Sequence, residues 1–431
     1  MLAIRNIKNN IFFRNVIKLT TGTAISQLIL MICSPILTRM YSPDDFGVLA
    51  IYISIGSIIT VLATGRYEMS IILPQDERDA TSLVLLCTIS SFLTMILSFV
   101  ITIYISPVIG EYPVSQFIYL VPLSVLFLSL TQTLMYWSNR KNKYKRIAVN
   151  KVINSIVMSC IQISCGLIFT LSYGLIIGLF VGQLISFILY LFYVYREDRE
   201  KLKKISLRSV IENLRKYKKF PIYSMPTSVL DMFSNNMPLF ILSSLFSYQI
   251  AGFYSLAVRM LSIPSSLLGM AVGQVFYPEF VKRLNENADY RSLLFSTWFR
   301  LALIGLLPMF VVLLYGGHLF GFLFGDSWVE AGKIASIISP MLYAMFISSP
   351  TSSTFIALNA QHINLFFGLA VFLMRPLTLY IGFINNSLIE GLYLLVIFEV
   401  IQIIIYNLVV LLKIKRISTV KIKGPYGGLN D

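Results

Sequence analysis

Six ionisable residues of this sequence lie within long apolar segments or at the end of one. They are Arg66, Glu68, Asp231, Arg259, Arg375 and Glu399. A charged side chain in membrane hydrocarbon costs about 2.5 to 3.5 kcal/mol on insertion scales, so such residues normally face an interior cavity or pair with one another. The arginines predict a site for an anionic group, because a guanidinium offers phosphate a planar fork of donors.

Arg259 belongs to a stripe of small and polar residues. The stripe consists of Gly252, Ser255, Arg259, Ser262, Ser266, Gly269 and Gly273. Steps of three and four residues place all of them on one face of a helix. Arg375 and Glu399 also have small or polar neighbours at helical spacing. We therefore predict a hydrophilic cavity whose substrate-binding residues are Arg66, Arg259 and Arg375.

The same residues support a plainer interpretation, in which they form interhelical ion pairs. Asp231 with Arg259, and Arg375 with Glu399, are the pairs that we consider. The carboxylates of Glu68, Asp231 and Glu399 are also candidates for coupling transport to a driving ion. Pairing and substrate binding are compatible, because an arginine can exchange its partner for a substrate.

The sequence contains none of the catalytic motifs that we sought. It lacks HExxH, Gly-x-Ser-x-Gly, a Walker lysine loop and CxxC, which mark metalloproteases, hydrolases, nucleotide-binding folds and redox or zinc sites. The four cysteines all fall inside apolar segments. We therefore expect no enzyme, no cofactor, no metal site and no disulfide.

The elements that position these residues are membrane-spanning helices. The sequence is 56% hydrophobic and 13% charged, whereas soluble domains average roughly 25% charged residues. Apolar runs of about 20 residues, long enough for a helix to cross a bilayer, recur along the chain. About twelve spans are predicted, at 17–37, 46–64, 80–106, 114–138, 148–172, 174–195, 220–244, 250–276, 294–315, 332–357, 363–384 and 388–412.

The distribution of basic residues predicts the orientation of these spans. Lysines and arginines are retained on the cytoplasmic side of short loops. With both termini in the cytoplasm, all but four of the 35 Lys and Arg residues fall on that side. The exceptions are Arg39, Arg259, Lys333 and Arg375. The net charge of +15 is thus mainly a topology signal, and we expect no nucleic-acid partner.

A basic linker divides the chain into two halves. We predict a six-helix bundle at 1–195, a cytoplasmic amphipathic linker at 196–219, a second six-helix bundle at 220–412 and a cytoplasmic tail at 413–431. The linker is predicted either to lie on the membrane surface or to form a solvated loop. A weak internal repeat at an offset of about 205 residues aligns Ser42 with Ser247 and Gly47 with Gly252, as in transporters built from two repeated bundles.

Three segments resemble a known family. They are Gly22-Thr-Ala-Ile-Ser-Gln27, Pro35-Ile-Leu-Thr-Arg-Met-Tyr-Ser-Pro-Asp-Asp-Phe-Gly47 and Gly65-Arg-Tyr-Glu-Met-Ser-Ile-Ile-Leu-Pro74. These segments are similar to the polysaccharide-exporter (Wzx-type) flippases, which share a superfamily with the multidrug MATE transporters and the peptidoglycan lipid flippases. The resemblance is specific over residues 20–75 and looser beyond. Arg66 and Glu68 match its Arg-Tyr-Glu signature, and Arg259 is similar to cationic lumen residues of the lipid flippases.

The resemblance implies an all-α, V-shaped pair of six-helix bundles in the bacterial inner membrane. Such a protein moves an undecaprenyl-diphosphate-linked oligosaccharide, of O-antigen or a related surface glycan, from the cytoplasmic to the periplasmic leaflet by alternating access. The implied partners are that lipid-linked glycan, membrane lipids and other surface-polysaccharide assembly proteins. Two alternatives remain open at this point, namely a MATE-like exporter of small molecules and a membrane glycan polymerase.

Overall fold

The computed structural model describes residues 11–108, 110, 112–168, 173–202, 207–286, 289–351, 354–355, 358 and 361–422, which form long helices. The helices are α1 (Ile11–Met40), α2 (Pro43–Ala63), α3 (Glu77–Ile105), α4 (Val121–Arg140), α5 (Tyr144–Ile168), α6 (Tyr173–Leu202), α7 (Leu207–Lys216), α8 (Met225–Ile241), α9 (Tyr248–Asn285), α10 (Tyr290–Phe324), α11 (Val329–Ser348), α12 (Gln361–Ile384) and α13 (Leu388–Ile422). Short 3-10 turns cover Tyr67–Ile72, Pro113–Leu120 and Asp326–Trp328, and π-helical turns cover Phe220–Ser224 and Leu242–Phe246.

The predicted number of spans is confirmed. Within the described residues, 12 helical segments are long and apolar enough to cross a membrane. Their side chains also suit lipid, because many large apolar residues are exposed. Leu307 is 72% exposed and Phe322 is 82% exposed on α10. In water such surfaces would be unfavourable, so the chain is an all-α, multi-pass membrane protein.

The starts of the spans follow from local chemistry. Ser42 caps α2: its hydroxyl accepts from the Asp45 amide, and the Asp45 carboxylate accepts from the Ser42 amide, a capping box. Asp76 caps α3 by accepting from the Arg78 amide. Each cap satisfies an amide that a helix start leaves without an intrahelical partner.

The chain forms two compact units. Unit 1 comprises residues 1–256 and 323–328, and unit 2 comprises residues 257–322 and 329–431. This division does not coincide with the predicted linker, and the assignment of domains at 1–195 and 220–412 stays a prediction. Of the predicted linker, residues 203–206 lie outside the described residues, as do residues 423–431 of the predicted tail.

Candidate functional site

Arg66 sits in a tight turn directly after α2. Gly65 and Arg66 both have positive φ angles, 55° and 61°, and this left-handed conformation is uncommon for a residue with a side chain. The turn directs the Arg66 guanidinium toward α8, where its Nε donates to Ser228 Oγ at 2.8 Å. The Arg66 side chain remains 19% exposed.

Glu68 lies beneath Arg66 and is completely buried. Its Oε1 accepts from Arg66 Nη1 and from Gln132 Nε2 of α4, each at 3.4 Å. Its Oε2 has no hydrogen-bond partner among the described residues. A buried carboxylate is costly unless it is paired, so Arg66 and Gln132 are needed to hold Glu68 in place.

Arg140, at the end of α4, holds the segment that follows Glu68. Its Nη1 donates to the carbonyl oxygens of Ile71 and Ile72, each at 3.2 Å, and to that of Pro74. One guanidinium thus satisfies several carbonyls that lie outside any long helix. Arg140 fixes the path of the chain between α2 and α3, and with it the position of the turn at Arg66.

The linker helix α7 is attached to the same region of unit 1. Asp79, in the first turn of α3, accepts from Ser209 Oγ at 3.2 Å and from Lys216 Nζ at 3.4 Å. The hydroxyl of Tyr67 donates to the carbonyl of Leu214 at 3.1 Å. Burial raises the pKa of Tyr67, which keeps this hydroxyl protonated and able to donate. Within the predicted linker, α6 extends to Leu202 and α7 covers Leu207–Lys216, and the location of the linker on a membrane surface stays a prediction.

Asp231 lies one turn beyond Ser228 on α8, with its side chain exposed. It is close enough to Arg66 for their charges to interact. Arg66, Glu68 and Asp231, three residues proposed from the sequence, thus belong to one charged cluster within unit 1. Asp231 and Arg259 fall in different units, and a pair between them stays a prediction.

Arg259 is half-buried on α9. The serines of its stripe donate back to carbonyls of their own helix: Ser255 to Gly252 and Ser262 to Val258. None of the described residues gives the Arg259 side chain an ion pair or a hydrogen bond. Within the described part of the chain, no protein group therefore compensates the positive charge of Arg259.

Arg375 and Glu399 form an ion pair between α12 and α13. Arg375 Nε lies 2.5 Å from Glu399 Oε1, and the two residues are only 8% and 1% exposed. Each charge compensates the other in a buried setting. This geometry favours the pairing interpretation of these two residues over the substrate-binding one.

Sequence reasoning missed the residues that complete these clusters. Ser228 and Gln132 fall within two of the predicted apolar spans, and polar groups within a span need partners. The basic residues near Arg140 contribute to the predicted orientation of the spans, and the sequence predicts no partners for them. Among them, Arg146 is buried, lies 3.1 Å from Asp198 Oδ2 and also bonds Glu197. Trp137 Nε1 donates to the same Asp198 oxygen at 3.2 Å.

Metal binding finds no support in the described residues, which contain no group of three or more His, Cys, Asp or Glu side chains placed to hold an ion. All four cysteines are free, and Cys87 is buried beside α4. The charged cluster at Arg66 thus consists of one arginine and two carboxylates, those of Glu68 and Asp231.

Comparison with known proteins gives one family and several distant relatives. The sequence profile of the family described as polysaccharide biosynthesis protein matches residues 36–333. The teichuronic acid biosynthesis protein TuaB of Bacillus subtilis (strain 168) is 21% identical over 320 residues, which is 73% of this chain and 65% of TuaB. The succinoglycan biosynthesis transport protein ExoT of Rhizobium meliloti (strain 1021) is 22% identical, over 71% of this chain and 61% of ExoT. Both matches cover less than two thirds of the relative's length.

Solved structures resemble this chain over almost all of its length. The lipid II flippase MurJ, in an inward closed conformation, matches with a TM-score of 0.72 at 14% identity, covering 93% of this chain and 87% of MurJ. An inward-facing multidrug resistance MATE family transporter of the MOP superfamily matches with a TM-score of 0.66 at 15% identity, covering 92% and 96%. At these identities the likeness shows the fold. The predicted all-α fold with about twelve spans is thereby confirmed, whereas the cytoplasmic location of the termini stays a prediction. The family profile matches more than half of the sequence, so the chain belongs to the polysaccharide biosynthesis protein family.

Proposed function

We propose that this protein is a flippase for a lipid-linked glycan. Its substrate is an undecaprenyl-diphosphate-linked oligosaccharide, the repeat unit of O-antigen or a related surface polysaccharide. It moves this substrate from the cytoplasmic to the periplasmic leaflet of a bacterial inner membrane by alternating access. The protein acts as a transporter and not as an enzyme, alongside other proteins of surface-polysaccharide assembly.

This proposal depends on Arg259, whose positive charge no described residue compensates. A cation within a membrane span is expensive and is retained where it faces a partner or a functional cavity. The described residues supply no partner for its guanidinium, and a bound anionic ligand would supply the missing negative charge. A diphosphate meets this need because it accepts several hydrogen bonds from a planar guanidinium. Arg66, which is partly exposed and bonds both Ser228 and Glu68, is a second donor for the same kind of group.

The comparisons support a glycan as the cargo. The two relatives are named for teichuronic acid and succinoglycan, which are both polysaccharides. A relative in fold, MurJ, is a lipid II flippase. A MATE-like exporter of small cations also fits the fold, but its cargo would be repelled by Arg259. The chemistry of the unpaired residue, and not the fold, therefore favours an anionic substrate.

The test compares Arg259→Ala and Arg259→Lys with Lys333→Ala in cells that lack the native gene. Lys333 is an exposed cation that pairs with Glu330, so its removal controls for loss of positive charge. We expect Arg259→Ala to lower surface glycan by about tenfold or more, with membrane protein levels unchanged and lipid-linked repeat units accumulating on the cytoplasmic side. Arg259→Lys should retain part of the activity, because lysine keeps the positive charge. It should not retain all of it, because lysine lacks the planar fork of donors that a guanidinium offers.

Full surface glycan in Arg259→Ala would contradict the cationic site. A drug-susceptibility profile of the deletion strain separates the two transporter classes. Normal susceptibility to cationic drugs together with loss of surface glycan supports the flippase, whereas increased susceptibility with normal glycan supports an exporter.

A further inference from the structure

Unit 1 contains an apolar cavity that the proposed site does not use. Its volume is about 800 Å³, and it lies between α2, α3, the segment before α4, and α8. Four isoleucines and leucines of α2 line it, at Ile51, Ile55, Ile59 and Leu62. Their spacing of three and four residues places them on one helix face, so the cavity follows much of the length of this span.

The wall of the cavity is chemically suited to a hydrocarbon. Its serines bond carbonyls of their own helices: Ser98 to Met95 at 2.9 Å and Ser243 to Phe240 at 3.0 Å. Their donor capacity is thereby used within the protein. Most of the other lining residues are aliphatic, and an apolar cavity accepts apolar occupants.

The cavity opens toward the surroundings along α3. Leu97 is 59% exposed, and Ile101 and Ile105 are 46% and 41% exposed, although all three line the cavity. In a membrane span these exposed faces meet lipid. A chain that already lies in the bilayer can therefore enter from the side, without crossing a polar barrier.

One end of the cavity approaches the charged cluster at Arg66. Leu62 of α2 and Met225 of α8 line this end. Ser228 follows Met225 by three residues, about 4.5 Å along a helix axis, and its Oγ bonds Arg66 Nε at 2.8 Å. An apolar groove and a partly exposed guanidinium are thus about one helical turn apart. A molecule with an anionic head joined to a long apolar chain matches both features.

A second apolar groove lacks this combination. It has a volume of about 620 Å³ and lies between α12 and α13, lined by residues such as Phe366, Phe398 and Ile401. The arginine of α12, Arg375, is already paired with Glu399. Arg66 is also paired, with Glu68, but its side chain is 19% exposed, compared with 9% for Arg375. Arg375 is therefore the less accessible of the two arginines to a charged lipid.

We infer that the cavity between α2, α3 and α8 holds the isoprenoid chain of the carrier lipid while Arg66 contacts its diphosphate. This inference rests on the proposed function, which makes a polyprenyl diphosphate the substrate. It adds a binding site for the apolar part of that substrate, away from the sugar. Seating the chain in unit 1 would hold the diphosphate at the turn after α2.

The test uses the full-length protein in nanodiscs of zwitterionic lipid and a photoreactive undecaprenyl diphosphate with a diazirine in its chain. In the wild-type protein we expect crosslinks on α2, α3 and α8, and competition by unlabelled undecaprenyl diphosphate. Diacyl phosphatidic acid at the same concentration should compete much less. Crosslinks elsewhere, or equal competition by phosphatidic acid, would overturn the assignment to an isoprenoid chain.

Two matched substitutions on α3 sharpen the test. Ile101 lines the cavity at 46% exposure, and Ile103 faces away from it at 49% exposure. Ile101→Trp should lower the crosslinking yield by about tenfold, a loss of about 1.4 kcal/mol, because the indole fills the groove. Ile103→Trp adds the same side chain to the same helix and should change nothing. Equal yields in the two variants would contradict the proposal.

Transport measured with the same purified protein in sealed vesicles separates the two proposals. Glycan transport with crosslinks outside the cavity would refute the lipid site and leave the flippase function standing. Crosslinks within the cavity without glycan transport would refute the function and leave the lipid site standing. Crosslinks outside the cavity without transport would refute both.

Discussion

Gly47 of α2 and Gly252 of α9 bring the first turns of their helices into direct backbone contact. A Cβ atom on Gly47 would lie 1.9 Å from the carbonyl oxygen of Tyr248, and one on Gly252 would lie 1.9 Å from the carbonyl oxygen of Pro43. The relationship is reciprocal. These are the two glycines that the weak internal repeat aligns, and they are kept small because any side chain would separate the backbones.

The two aligned serines have matching roles. Ser42 Oγ accepts from the Asp45 amide, and Ser247 Oγ accepts from the Ile250 amide, each three residues along. The repeat thus preserves a helix cap and a close contact at equivalent positions. Trp328 completes the contact by packing edge-on against Phe46 and Phe253, with ring centroids 4.9 and 5.9 Å apart.

We predict that Gly47→Ala disrupts this contact and that Gly56→Ala does not. Gly56 is on the same helix, and a Cβ there would meet nothing within 4 Å. Overpacking at Gly47 should destabilise unit 1 by about 1 to 3 kcal/mol, whereas the alanine at Gly56 should be neutral or slightly stabilising. Thermal unfolding of the purified protein measures the difference. Equal melting temperatures in the two variants would disprove the close contact.

The Arg375–Glu399 pair leads to a prediction about stability. Arg375→Ala leaves Glu399 buried without its partner, which should cost about 3 to 5 kcal/mol. The double variant Arg375→Met/Glu399→Leu should recover most of this loss, because hydrophobic residues of similar volume replace a buried pair well. Thermal unfolding and surface glycan are measured together. A single variant of normal stability that displays no glycan would instead assign Arg375 to substrate binding.

The carbonyl contacts of Arg140 predict a local effect on the segment after Arg66. Arg140→Lys should increase amide hydrogen exchange over residues 69–76, because one ammonium cannot reproduce a planar fork that reaches several carbonyls. Arg78→Ala is the control, since Arg78 is exposed at the start of α3. Hydrogen exchange monitored by mass spectrometry tests this. Unchanged protection in Arg140→Lys would mean that the segment is held by other contacts.

The contacts of Asp79 predict how the linker helix is attached. Asp79→Ala removes the acceptor for Ser209 and Lys216 and should release α7. Because the linker is rich in lysine and arginine, limited trypsin digestion should then cut residues 196–219 several times faster. Glu212→Ala removes only an exposed pair with Arg208 and should leave the cleavage rate unchanged. Equal rates in both variants would show that Asp79 does not attach α7.

Local properties of the sequence were sufficient to predict the spans and the family. A membrane helix is specified by a continuous apolar run whose backbone hydrogen bonds lie within the segment. Each of the 12 candidate spans can therefore be recognised in the sequence without knowledge of its neighbours. The segment containing Arg66 and Glu68 is similarly local, and it carried the resemblance that the family match confirms. The polar stripe of Arg259 followed from helical spacing alone.

Only the tertiary structure decided which charges are paired. Arg66 bonds Ser228, 162 residues away in the chain, and Arg375 bonds Glu399 on the next helix, while no described residue pairs with Arg259. Helical spacing gives the face on which a residue lies, but its partner depends on which helix packs against that face and at what register. The same long-range packing brings Gly47 to Gly252, where two locally ordinary glycines become a backbone contact.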